Sequence, residues 1–360
     1  MDKKNIVIAA SGTGGHIYPG IMIAQELKAK GYNPIFWTSK NETAMKIIQK
    51  SGFEFIPFSL SGMPKKISLS FIFFCFKLFL AIIKSCFYMR KLEVNFVVGT
   101  GGYIEVPAII AAKLFAKKIF IHEQNIIPGK ANVFANKLAD ATFISFENTA
   151  KFFKKKCIFS GYPVRKDIFN IDKNQAIEKL GIKKNVLTVL IFGGSLGAVK
   201  LNDIAFKAVE ILSERENIQV IHITGNIGYR EIVKRAAGKS FYIVKDFMHD
   251  IYNAYAACDI VICRAGAGAV FEVLFLNKPA VFIPFPFAAD NHQLLNAKKV
   301  EKKDFRIIIE EKDLTPENLA KAIEELKVHI NKTQQIVEKF AQEKIAEYIE
   351  AQFSSVKPLH

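Results

Sequence analysis

A chain of 360 residues, half of them apolar and 23% charged, is long enough for two or three domains with separate cores, and its composition excludes disorder, collagen and coiled coil. Fifty Lys and Arg against 34 Asp and Glu leave a net charge of +16, which favours a phosphate-rich partner such as nucleic acid, anionic lipid or a nucleotide. The five cysteines are odd in number and form no C-x-x-C pair, so neither a disulfide framework nor a zinc site is indicated and a reducing cytoplasm fits.

The opening Met1-Asp2-Lys3-Lys4 leads into an apolar run of only five residues, Ile6 to Ala10. A signal peptide needs a core of ~7–15, so no export is expected. Short β-branched or aromatic runs then alternate with helical stretches: NIVIAA at 5, NPIFWT at 33, FEFIPF at 53, NFVVGT at 95, KIFIHE at 118 and ATFISF at 141. The same rhythm restarts with NVLTVLIF at 185 and continues through IQVIHIT at 218, SFYIVK at 240, DIVICR at 259, AVFIPF at 280 and FRIIIE at 305. Strand and helix in alternation specify a parallel sheet, and the restart specifies two doubly wound α/β halves.

Within the first half, residues 67–89 form an apolar stretch interrupted by Lys77 and Lys84. A spanning helix wants ~20 mostly uncharged residues, which argues against a membrane crossing. Lys77, Lys84 and Lys91 recur every seven residues and so share one helix face, while Phe71, Phe74, Leu78 and Ile82 line others. Two readings fit this pattern equally. One is a core-packed helix with a solvated lysine stripe. The other is a helix lying on a bilayer, with those four apolar side chains in the headgroup boundary and lysines reaching anionic lipid, helped by Lys65, Lys66 and Arg90 at its ends.

The halves are expected to meet near Gly161-Tyr162-Pro163, after which the chain is polar and charged to Lys184. Beyond Thr315-Pro316 the pattern is long amphipathic helix to about Ala351 with no strand in it, so this tail must pack on an existing surface. The expected domains are therefore 1–162 and 163–340, with a C-terminal helix over 341–360 packing back on the first.

Four glycine-rich loops follow strands and open helices: Ser11-Gly12-Thr13-Gly14-Gly15-His16, Gly99 to Tyr103, Gly193-Gly194-Ser195-Leu196-Gly197-Ala198, and Gly266-Ala267-Gly268-Ala269 before Glu272. Bare amides at a helix N-terminus suit an anion or a close-approaching ligand. Any one of these is a simple tight turn; four at corresponding places point to ligand crevices. The first fails as a dinucleotide fingerprint, because Ile17 stands at the third glycine position and Thr38-Ser39-Lys40 replaces the acidic residue after the second strand. His16, the cluster His122-Glu123-Gln124-Asn125 and the pair His292-Gln293 are the polar groups at the same strand ends. Arg165 and Arg264 suit a diphosphate. The alternative is a buried ion pair for each, more so for Arg264.

Taken together, GTGGHIYP (12–19), GTGGY (99–103), HEQN (122–125), GYPVR (161–165), FGGSLGA (192–198) and CRAGAGAVFE (263–272) resemble the MurG family of bacterial N-acetylglucosaminyltransferases, in the family's order over nearly the whole chain. The resemblance implies the GT-B architecture: two Rossmann-like domains facing across a cleft, the first for the acceptor and membrane, the second for the nucleotide sugar. It implies transfer of GlcNAc from UDP-GlcNAc to the muramyl 4-hydroxyl of lipid I (undecaprenyl-pyrophosphoryl-MurNAc-peptide), forming lipid II with inversion. The enzyme would sit peripherally on the cytoplasmic face of the membrane. By the same resemblance Phe247 and Met248 cap the uracil and Glu272 holds the ribose. Ser195, Arg165 and the loop with Ala267, Gly268 and Ala269 take the diphosphate, and His292 with Gln293 reads the sugar. Thr13, in the loop with Gly14 and Gly15, and Asn125 face the GlcNAc, and His16 or Glu123 is the general base. The helix after Gly197 points its N-terminal dipole at the leaving UDP, and with no D-x-D motif no metal or other cofactor is expected. The chain departs from the family at Ile104-Glu105-Val106-Pro107, where relatives usually carry a small Ser-Gly pair before the proline.

Three rivals remain at this level: another GT-B transferase with a lipid acceptor, such as a diacylglycerol galactosyltransferase; a non-hydrolysing UDP-GlcNAc epimerase; and a basic nucleic-acid or membrane binder. HEQN and GYPVR favour the first reading over another lipid transferase. The lysines are spread rather than clustered and no nucleic-acid motif is present, so no nucleic acid is expected.

Overall fold

A computed structural model of the chain describes all residues except 1–3, 13, 61, 65–68, 195–196, 302–304, 331–338 and 355–360. It divides into two compact units, one of Met1–Val164 with Glu338–His360 and the other of Arg165–Val337.

The first unit runs β1 (Lys4–Ala9), α1 (Gly14–Ala29), β2 (Tyr32–Ser39), α2 (Glu42–Lys50), β3 (Glu54–Phe58) and α3 (Leu69–Lys91). It continues with β4 (Phe96–Gly99), α4 (Glu105–Leu114), β5 (Lys118–Glu123), α5 (Lys130–Asn136), β6 (Ala141–Ile144) and β7 (Cys157–Phe159). The strands form one sheet in the order β3-β2-β1-β4-β5-β6-β7, and every pairing is parallel. Parallel strands covered on both faces must be apolar throughout, which is why Ile6 to Ala10 and Phe96 to Val98 are fully buried. The strand order reverses between β1 and β4, and at such a switch point the loops leaving the carboxyl ends diverge and open a crevice.

The second unit opens with α6 (Lys173–Leu180) and β8 (Leu187–Phe192), followed by α7 (Val199–Ser213), β9 (Ile218–Ile223), α8 (Gly225–Ala236), β10 (Tyr242–Lys245) and α9 (Ile251–Ala257). Then come β11 (Ile260–Cys263), α10 (Ala267–Phe275), β12 (Ala280–Phe282), α11 (His292–Val300), β13 (Arg306–Ile308) and α12 (Pro316–Leu326). Its parallel sheet has the order β10-β9-β8-β11-β12-β13, with the switch between β8 and β11. Two elements lie where the sequence reading had none. The helix α6 occupies part of the charged stretch before Lys184, capped by Asp172 at its start and ended by Gly181 in the left-handed conformation. The edge strand β7 is only three residues long, too short for a periodicity.

The C-terminal tail is not one long helix. A 3-10 turn over Lys327–His329 ends α12 in the second unit, and α13 (Ala341–Ser354) belongs to the first. There Ile345, Ala346 and Ile349 join the core beside α1, and Phe353 stacks on Phe96 with ring centroids 5.2 Å apart. Gln342 bonds both backbone groups of Val164, accepting from its N–H at 3.2 Å and donating to its carbonyl at 2.8 Å.

The helix α3 is long and apolar enough to cross a membrane. It packs on its own unit through Phe74, Ala81, Ser85 and Met89, and this corrects the assignment of its faces. Phe74 lies in the core and meets Tyr103 edge to ring at 6.1 Å, Leu78 packs against that core, and Phe71 and Ile82 are half-buried. The open apolar face instead carries Leu69, Ile72, Phe73, Phe76, Phe79, Leu80, Ile83 and Phe87, each about half exposed or more. Lys84 is also not a solvated stripe residue: its ammonium donates to the Pro57 carbonyl at 2.6 Å and sits over the Phe58 ring, and burial with the nearby Lys40 charge pulls its pKa down.

Candidate functional site

In the first unit the loops after β1, β4 and β5 converge at the carboxyl edge. His16 sits in the first turn of α1, and its Nδ1 lies 3.1 Å from Gln124 Oε1. The loop after β4 comes close because Gly101 has a φ of +102° and no side chain; a Cβ there would stand 2.6 Å from His16 Nδ1. Thr100 Oγ1 donates to the His16 carbonyl at 2.9 Å. Thus HEQN and both glycine loops meet at one histidine. His16, Gly12, Ser39, Lys40, Lys77 and Tyr103 are among the residues lining a cavity of about 600 Å³.

Glu123 is 1% exposed, and both of its carboxylate oxygens are engaged. Oε1 accepts from the Asn125 backbone at 2.9 Å and from its side-chain amide at 3.3 Å, while Oε2 accepts from Gly129 N at 3.0 Å and Asn132 Nδ2 at 2.7 Å. A carboxylate saturated in this way shapes the turn that presents Asn125. His122, fully buried, is held neutral by desolvation, which lowers its pKa to about 4.

The second glycine loop is not an empty anion cradle. Glu105, at the start of α4 and fully buried, fills it, accepting from Gly101 N at 2.5 Å. Its Oε1 has no partner among the described residues, and burial holds its carboxyl well above the usual carboxylate range. The protein's own acid therefore occupies the amide of this loop.

In the second unit the corresponding edge gathers Gly193, Gly194 and Gly197 after β8, Phe247 and Met248 after β10, the start of α10 after β11, and the 284–293 loop after β12. Gly197 has a φ of +82°, and a Cβ there would lie 2.2 Å from the Thr224 carbonyl, so only glycine lets these loops approach. Among the described residues the N-termini of α7 and α10, like those of α4, α5, α8, α9 and α11, have no side-chain cap, whereas Asp172 and Thr315 cap α6 and α12. The amides of Ala267, Gly268 and Ala269 thus begin α10 uncapped, the arrangement an anion needs.

Glu272 accepts from Arg165 Nη2 at 3.1 Å and from the Tyr255 hydroxyl at 2.9 Å. Arg264 pairs with Glu311 at 2.5 Å and donates to the carbonyls of Ile283 and Pro284, the buried ion pair that its alternative reading describes. Gln293 Oε1 accepts from Phe285 N at 2.9 Å and His292 Nδ1 donates to the Ala289 carbonyl at 2.7 Å, so this pair shapes its own loop. Thr13 and Ser195 lie outside the described residues. Individual roles for Gln124, Tyr255, Lys40 and Glu105 were not read from the sequence; the signals were that Gln124 lies within HEQN and that Glu105 follows the second glycine loop. Among the described residues no group of three or more His, Cys, Asp or Glu side chains is placed to hold a metal ion.

Residues 6–144 match the glycosyltransferase family 28 N-terminal domain and residues 188–352 its C-terminal domain. A UDP-N-acetylglucosamine–N-acetylmuramyl-(pentapeptide) pyrophosphoryl-undecaprenol N-acetylglucosamine transferase of Flavobacterium psychrophilum is 35% identical over 322 residues, 88% of this chain and 87% of that protein. The chain belongs to the MurG family. Consistently, the crystal structure of Acinetobacter baumannii MurG superposes with a TM-score of 0.72 at 25% identity, covering 97% of this chain and 99% of that one. A putative UDP-N-acetylglucosamine 2-epimerase from Listeria monocytogenes reaches a TM-score of 0.70 over 99% of this chain and 98% of its own at 12% identity, a likeness of fold alone.

Proposed function

We propose that this MurG-family protein transfers GlcNAc from UDP-GlcNAc to the 4-hydroxyl of MurNAc in lipid I, producing lipid II with inversion at the anomeric carbon. Beside family membership, the observation that carries the reading is His16: one ring nitrogen is engaged by Gln124, the other has no partner among the described residues, and the side chain lines the large cavity. His16 Nε2 takes the proton of the acceptor hydroxyl, whose oxygen bonds to the sugar C1. The C1–O bond to UDP breaks, and its electron pair leaves on the β-phosphate. The uncapped amides of α7 and α10, with Ser195, stabilise that charge without calling on a metal. Glu123 serves as a positioning residue for Asn125 rather than as the base. Phe247, Met248 and Glu272 hold the nucleoside, with His292 and Gln293 at the sugar.

The acceptor occupies the His16 cavity, where the Lys40 and Lys77 ammonium groups suit its diphosphate. The exposed face of α3 rests in the headgroup boundary of an anionic membrane, so that a lipid-borne acceptor reaches the first unit from the bilayer on the cytoplasmic side. UDP release by the purified protein, with and without a lipid I analogue in detergent, tests the reading. Acceptor-dependent release with a β-linked disaccharide product is expected. Donor binding without acceptor-dependent release would refute it.

A further inference from the structure

Gln124 is 1% exposed, and the surroundings of its amide settle which end is which. Its nitrogen has three acceptors around it: the Thr100 carbonyl at 2.9 Å, the His122 carbonyl at 3.0 Å and His122 Nδ1 at 3.2 Å. The opposite assignment would set an oxygen against two carbonyl oxygens, an unfavourable contact in a buried place. Oε1 must therefore be the atom facing His16 Nδ1, and an amide oxygen only accepts. The proton on His16 in its neutral form is thereby drawn to Nδ1.

The far end of the chain of bonds agrees. His122 Nε2 faces the Gly161 carbonyl at 3.1 Å, which only accepts, so the ring proton is on Nε2, also 3.2 Å from Ser145 Oγ, and Nδ1 beside the Gln124 nitrogen is the unprotonated one. Every member is oriented the same way, from His16 through Gln124 and His122 to a backbone carbonyl that cannot reverse its role.

We infer that Gln124 is a positioning residue that fixes His16 in the Nδ1–H tautomer and leaves the Nε2 lone pair free to take a proton. The catalytic consequence rests on the proposed role of His16 as base; the tautomer itself does not, and the two fail separately. A ring free to carry its proton on Nε2 is in the wrong state for part of the time and cannot act as a base from that nitrogen. Hydrogen bonding through an amide rather than a carboxylate supplies this orientation without adding a negative charge to the imidazolium.

Nitrogen-15 spectra of histidine-labelled protein, with the His16 signals assigned from His16→Asn, read the tautomer directly. In the wild type above neutral pH, Nδ1 should be protonated and Nε2 not. Gln124→Leu should mix or invert the two and lower kcat at least about tenfold while the donor KM stays within about twofold. Gln124→Glu should keep the wild-type ring pattern, because the carboxyl oxygen that takes the place of Oε1 still accepts from His16 Nδ1. An Nε2–H tautomer in the wild type would overturn the inference, as would a folded Gln124→Leu protein with unchanged ring signals and kcat. The wild-type spectrum decides even where Gln124→Leu does not fold or the acceptor is not lipid I.

Discussion

Arg165 donates to Glu272 across 3.1 Å, so two residues that resemblance gives to different parts of the donor hold each other. Both side chains are largely buried, and the Tyr255 hydroxyl supports Glu272 from another side. A carboxylate oriented by a guanidinium and a phenol has its rotamer set before ligand arrives, which favours donor binding over turnover. Glu272→Ala should therefore raise the UDP-GlcNAc KM roughly tenfold or more and change kcat by less than about threefold, since only uniform binding is lost. Because the pair is coupled, Arg165→Ala with Glu272→Ala should cost less than the two single effects combined, by about 0.5 kcal/mol or more. An unchanged KM in Glu272→Ala would remove this contact from the donor site.

The contrast between His16 and Glu123 separates base from scaffold. His16→Ala should lower kcat about 10²–10⁴-fold with the Kd for UDP-GlcNAc unaltered. Glu123→Gln places an NH2 group among four donated hydrogen bonds, where only acceptors fit. It should lower unfolding free energy by about 1–3 kcal/mol and reduce turnover chiefly through that loss of order. Denaturation and single-turnover kinetics on both variants distinguish these outcomes; a Glu123→Gln protein of wild-type stability and no turnover would return it to the role of base.

For α3 the prediction follows from which side is open. Phe76→Glu with Ile83→Glu changes two exposed residues and should release the protein from anionic vesicles in a flotation assay, leaving its circular dichroism and its activity on a detergent-solubilised acceptor intact. Phe74→Glu, by contrast, buries a carboxylate in the core beside Tyr103 and should destabilise the first unit severely. Retention of the double variant on vesicles would mean that another surface holds the membrane.

These cases also mark what a sequence carries. The strand runs were legible because buried parallel strands are apolar from end to end, and the two halves because the rhythm restarts with the run that begins at Asn185. The inward face of α3 was not, because Phe71 to Phe74, Leu78 to Leu80 and Ile82 to Ile83 surround the helix with apolar groups and leave no period to read. What selects the face is Ala81, Ser85 and Met89, two of them small enough for close approach. The pairing of His16 with Gln124 joins residues 108 apart, so no local spacing announces it; both lay in recognised motifs, but the bond between them depends on Gly101 lacking a side chain. Glu105 stood out in sequence only as a departure, and nothing local announced that it is buried against the Gly101 amide.

Each unit buries a neutral histidine whose protonation acid favours only in the unfolded chain. His122 in the first and His222 in the second are buried and neutral, with desolvation lowering their pKa values from 6.5 to about 4 and about 3. His222 lies 2.8 Å from the Tyr242 hydroxyl and 3.1 Å from Asn202 Oδ1, with no carboxylate among its bonded partners. An unfolded chain takes up a proton on each histidine below about pH 6.5, whereas the folded units do so only below those lowered values. Between the two limits the unfolded state binds more protons, so stability falls as pH falls, by up to about 1.4 kcal/mol per unit of pH for each histidine. Going from pH 7 to pH 5 should cost the second unit about 2 kcal/mol from this source, whereas in the first unit the buried Glu105, whose carboxyl pKa is raised, makes the folded state the better proton binder and offsets the His122 loss. Urea titrations at the two pH values, followed by probes in each unit, should show the loss in the second unit and a smaller one in the first. His222→Gln, if folded, should make the second unit's stability less dependent on pH and leave the first unit's dependence unchanged. Equal pH dependence in wild type and variant would mean that His222 titrates normally in the folded protein.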